Sequence, residues 1–169
     1  MQTRIDWKAA IWAGVIAGIV FIMLEMAMVA FIQGMSPWGP PRMMAAIAMG
    51  EGVLPPMEGP VTFDAGVMMV AMFVHLVLTI VYAIVLAVVI SLLKLDLLTS
   101  IIAGALFGIA LYFVNFFGFT AQFPWFAMAR GGISLFAHAV YGFVLGGAYH
   151  AIAAHDARQA GETAVRSAV

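Results

Sequence analysis

Residues 65–93 read AGVMMVAMFVHLVLTIVYAIVLAVVISLL, a run without one Asp, Glu, Lys or Arg. About 20 apolar residues cover the roughly 30 Å of bilayer hydrocarbon at about 1.5 Å per residue, so this stretch is long enough to cross as a helix. Three further apolar runs accompany it, at about 8–33, 97–119 and 133–152. None alternates as a strand would, and lipid admits only helices or closed barrels. The pattern predicts an all-α integral membrane protein, a bundle of four transmembrane helices. Composition points the same way. Of 169 residues, 65% are hydrophobic and 9% charged, where soluble domains have about 45–50% and about 25%. Mean hydropathy is +1.10.

The formal net charge of -1 argues against a nucleic-acid partner, which would need a basic surface. With no Cys, disulfides, thiolate metal sites and thiol catalysis are excluded. No nucleophile stands with a base, and no phosphate loop or cofactor fingerprint is present, so the chain is read as a non-enzyme without a cofactor. Residues 1–169 form one membrane domain whose partners are the lipid bilayer and either a second copy or a larger membrane complex.

Lys and Arg set the orientation. Arg4, Lys8, Lys94, Arg158 and Arg166 fall on one side, and Arg42 and Arg130 on the other. A multi-pass protein of the bacterial inner membrane with both termini in the cytoplasm follows. The start, Met1-Gln2-Thr3-Arg4, is basic, but the first apolar run is too long for a signal-peptide core and contains Glu25; it is read as a helix of the mature protein. Lys94-Leu95-Asp96 makes a tight cytoplasmic hairpin. The outer loop, 34–64, contains six of the seven prolines. Within it a short interfacial helix is expected at about 41–49, opened by Pro41 and closed by Gly50. Trp7, Trp38 and Trp125 sit where an aromatic belt is expected. The Ala-rich polar tail, 155–169, is expected to fray.

The two halves echo each other. Ile11-Trp12-Ala13-Gly14, Gly18-Ile19 and Glu25 recur as Ile101-Ile102-Ala103-Gly104, Gly108-Ile109 and Asn115, at a constant offset of 90. His75-Leu76, Val81-Tyr82 and Val85-Leu86 recur as Ser134-Leu135, Val140-Tyr141 and Val144-Leu145, offset 59. Two tandem, parallel helical-hairpin repeats are implied, related by a pseudo-twofold along the membrane normal. Such repeats occur in transporters and also arise by plain duplication. Gly14-xxx-Gly18, Gly104-xxx-Gly108 and Gly142-xxx-Gly146 are small-residue faces that let backbones approach closely. Glu25 and Asn115 follow two turns beyond the first two faces and so point into the bundle.

Counted from the cytoplasmic ends, Glu25, His75, Thr79, Asn115, Ser134 and His138 lie about fourteen to eighteen residues deep, within about one turn of a common level. An ionisable group at such depth costs roughly 2.5–3.5 kcal/mol on insertion scales, so it is rarely incidental. One reading is a proton or cation site, with Glu25 exchanging the proton or ligating the ion. The other is a hydrogen-bonded lock between helices, with Glu25 neutral or paired with Arg42 or Arg130. His75 and His138 could instead be axial ligands of a b-type haem. Soft thioethers beside imidazole, such as Met72 with His75 and His138, could hold Cu(I). Apart from Met1, the methionines cluster in the outer half, where they also suit irregular packing or a docking surface. That clustering supports the rival reading of an accessory or scaffold subunit of a larger complex.

Ala103-Gly104-Ala105-Leu106, Pro124-Trp125, the stretch from Ile133 to His138 and Thr79-Ile80-Val81-Tyr82 resemble the YagU-type inner-membrane proteins of bacteria. The likeness covers about half of the chain and implies a small four-helix membrane protein. Similar short sequences sometimes carry a sodium:proline symporter label, although such symporters have many more helices.

Overall fold

The structure is a computed structural model that describes residues 5–167. Arg4, used above for orientation, and the rest of residues 1–4 lie outside the described residues, as do residues 168 and 169. Among the described residues there are five α-helices: α1 (Trp7–Phe31), α2 (Gly39–Met49), α3 (Ala65–Leu93), α4 (Leu97–Phe113) and α5 (Gly132–Ser167). No strand occurs among the described residues. Four helical segments are long and apolar enough to cross a membrane: α1, α3, α5 and Leu97–Ala121, in which α4 continues through a π-helical turn.

Aspartates start three of the four. The side chains of Asp6, Asp64 and Asp96 accept from the backbone N–H groups of Ala9, Val67 and Thr99, at 2.9, 2.9 and 2.8 Å. Each satisfies one otherwise orphaned donor of a first turn, worth about 1 kcal/mol. The Thr99 hydroxyl also donates to Asp96; these Thr99 bonds hold the Asp96 carboxyl below its ordinary range. Lys94 ends α3 in the left-handed conformation, φ 52°, so the chain reverses within the three residues Lys94-Leu95-Asp96. The Asp residues at the helix starts are thereby accounted for by capping.

Packing follows the glycines. α4 lies against α5, α5 against α1, and α1 against α3, whereas α3 and α4 barely touch although only a tight turn separates them. At the α4–α5 crossing, a Cβ on Gly104, Gly108, Gly142 or Gly146 would overlap a carbonyl of the facing helix. The α1–α3 crossing is looser; a Cβ on Gly14 would come 2.8 Å from that of Ala83. Ala9, Ala10, Ala13 and Ala17 complete the buried stripe of α1.

Three features depart from the sequence reading. α5 runs on as helix to Ser167, so the tail does not fray over its described part; Lys8 reaches its Asp156 at 3.3 Å. Trp125 is not at an aromatic belt. It is buried, and its indole donates to the Met43 carbonyl at 3.0 Å, pinning Pro124–Ala129 against α2. Beyond Phe113, residues Val114–Gly118 widen into a π-turn before a short 3₁₀ segment, Phe119–Ala121.

Candidate functional site

The six polar residues picked out by depth converge near the ends of the helices that carry the 34–64 loop. Glu25, His75, Thr79, Ser134 and His138 are buried and Asn115 is half-buried. The Ser134 hydroxyl donates to Glu25 Oε1 at 2.8 Å, tying α1 to α5. His138, one turn along α5, donates through Nδ1 to the Ser134 carbonyl at 2.7 Å. That bond fixes the tautomer. Its Nε2 is then the acceptor, and the Asn115 amide donates to it at 3.3 Å. Tyr82 on α3 completes the chain by donating to Asn115 Oδ1 at 2.8 Å. Hydrogen bonds therefore link Tyr82, Asn115 and His138 to the Ser134 backbone, and the Ser134 hydroxyl to Glu25, so that residues of all four spans are tied together.

The π-turn is what makes this possible. It adds backbone where Asn115 sits, and such turns recur at functional positions because they re-aim one side chain without ending the helix. Arg130 closes the far end, donating to the carbonyl of Phe116 at 2.7 Å and to the Thr120 hydroxyl at 3.1 Å.

On the other side, His75 donates through Nε2 to the Gly18 carbonyl at 2.9 Å. The Tyr141 hydroxyl donates to the Thr79 carbonyl at 2.8 Å, while the Thr79 hydroxyl turns back to Leu76. Phe21 fills the space between the imidazoles, stacked on His75 with centroids 5.5 Å apart and edge-on to His138 at 4.8 Å.

A cavity of about 310 Å³ opens between α3 and α4 and reaches this cluster; Glu25, His75, Thr79, Asn115 and His138 line it, and Ser134 stands behind. Among the described residues nothing bonds Glu25 Oε2 or His75 Nδ1, and both residues line the cavity.

The geometry bears on several expectations. Arg42 does not pair with Glu25; it donates to the carbonyls of Val53 and Thr62. Arg130 is likewise spent on the π-turn. A haem between His75 and His138 does not fit, because Phe21 occupies that space and the usual ligating Nε2 of each ring is engaged. Met72 packs against the apolar core. Among the described residues, no three of His, Asp and Glu gather around one point to hold a metal ion.

Tyr82, Tyr141 and Phe21 were not singled out from the sequence as site residues. The tyrosines did carry a signal, since both stand in a Val-Tyr pair at the offset of 59. No family model matches the chain, and neither curated proteins nor solved structures provide a match.

Proposed function

We propose that this is a small, non-catalytic protein of the bacterial inner membrane that binds and exchanges a proton at Glu25. One observation carries the reading. A carboxyl group lies inside the bundle, bonded among the described residues to the Ser134 hydroxyl alone, and lines a cavity of about 310 Å³. A carboxyl can give and take a proton with whatever enters the cavity, whereas a lone carboxyl with one hydroxyl offers a metal cation too few ligands. Proton exchange is therefore preferred to cation binding.

We read the chain as two tandem, parallel hairpins, and the crossings support this. Gly14 approaches Ala83 as Gly104 approaches Gly142, and Gly18 approaches Thr79 as Gly108 approaches His138. The glycines differ by 90 and their partners by 59, the offsets of the sequence repeat. Membership of the YagU-like group remains part of the proposal, as does the orientation with both termini in the cytoplasm. A reporter active only in the periplasm, fused after residue 169, should be silent; activity there would reverse the topology.

Glu25→Gln keeps the shape and the bond from Ser134 but removes the titrating group. The variant is expected to insert and fold normally and to lose at least nine-tenths of pH-driven proton uptake in proteoliposomes, followed with a trapped pH dye. Full uptake by Glu25→Gln would defeat the proposal. It would favour the second reading, an accessory subunit docking through its loop, where Met57 is fully exposed and Met35 mostly so.

A further inference from the structure

The pseudo-twofold asks α3 and α4 to pack as α1 and α5 do. They do not, and the cavity lies in the seam left open. Its mouth faces sideways. Of the residues that line it, Phe73 and Val77 of α3, 69% and 46% exposed, and Phe119, 46% exposed, are the most open to the outside. Pro40, Met43, Met44 and Ile47 of α2 roof the loop end. A slot open along the flank of a spanning helix is filled from the lipid phase, so its natural occupant is lipid-soluble.

The walls and the inner end define the occupant further. Phe21, Phe73, Phe116, Phe119, Phe123 and Phe126 all line the slot, a setting in which a flat ring gains edge-to-face and offset contacts. At the inner end, Nε2 of His75 is the donor to Gly18, so its free Nδ1 is an acceptor and requires an O–H or N–H from the ligand. The Asn115 amide has a second N–H beside the one given to His138. A hydroxyl carries both the donor that the first calls for and the lone pairs that the second calls for. Charge decides the rest. Among the described residues that line the slot Glu25 is the one carboxylic acid, and both nearby arginines are committed to loop acceptors, so a carboxylate or phosphate head would arrive with no cation to meet it.

We propose that the α3–α4 slot binds one neutral, lipid-borne molecule with a hydroxylated aromatic head of the phenol or quinol class, its tail leaving between Phe73 and Phe119. The volume, about 310 Å³, is at the lower end of the roughly 300–1,000 Å³ of small-molecule sites and suits a single-ring head. Binding there does not rest on proton exchange at Glu25, and the two proposals fail separately.

The test uses the full chain in phosphatidylcholine nanodiscs and tritiated 4-nonylphenol, with empty nanodiscs as background. One saturable site per chain is expected. The methyl ether, 4-nonylanisole, cannot donate to His75 and should compete at least tenfold less well. Palmitate should not compete. Val77→Phe, which adds bulk at the half-exposed mouth, should weaken binding at least tenfold, whereas Leu98→Ala, an exposed residue that does not line the slot, should leave it within threefold. Uptake that never saturates, equal binding by Val77→Phe, equal competition by the ether, or displacement by palmitate would each overturn the proposal.

Discussion

Gly142→Leu is expected to yield no folded protein, and even Gly142→Ala should lose more than about 3 kcal/mol. A Cβ at this position would overlap the Gly104 carbonyl oxygen and lie 2.8 Å from the Gly108 amide nitrogen. Overpacking an ordinary core costs about 1–3 kcal/mol, because side chains can turn aside. Here the obstruction is backbone on backbone, so two helices must separate, and they take with them the α4–α5 face from which Asn115 reaches His138. Denaturant-induced unfolding in micelles measures the loss. Gly161→Ala supplies the contrast, since nothing lies within 4 Å of it and it sits in helix. It should be neutral or stabilise by up to about 1 kcal/mol. A Gly142→Ala protein as stable as Gly161→Ala would mean that the helices do not cross this closely.

Asn115→Leu has the second-largest expected effect, on both stability and proton uptake. The amide is at once acceptor for Tyr82 and donor to His138. Leucine leaves both partners orphaned, at about 1–3 kcal/mol for each group that water cannot reach. It also cuts the link that joins α3 to the π-turn across the open seam. Proton uptake should fall as well, because the His138 ring beside Ser134 is no longer held in place, although the carboxyl is untouched. Tyr82→Phe removes a single donor and should be milder in both assays. The prediction fails if Asn115→Leu takes up protons normally, or if Tyr82→Phe is the more damaging of the two.

Much of this architecture is legible in the sequence because lipid constrains it so strongly. Runs of twenty or more apolar residues have few alternatives, and counting residues along straight helices brings Glu25, His75, Asn115 and His138 to one level. What counting cannot give is direction around a helix once its winding changes. The π-turn at Val114–Gly118 has no compositional mark, yet it decides where Asn115 points. Hydropathy is equally blind to neighbours: residues 65–93 are apolar all round, so nothing in them says that α3 leaves one side to a slot. Trp125 illustrates a third limit. A tryptophan near the end of a span suits an interface, but a loop helix that covers it converts the same residue into a buried anchor.

The order in which the helices pack has a consequence for how the protein is made. α1 and α3 can pair as soon as both have entered the bilayer, but α4 has almost no purchase on α3, and it is α5 that touches both α4 and α1. Until the ribosome releases α5, the glycine face of α4 has no partner and the nascent chain is a hairpin plus a stray helix. Assembly is therefore deferred to the final quarter of translation. A chain halted before Gly132 would present the membrane's proteases and chaperones with a long-lived, half-built intermediate.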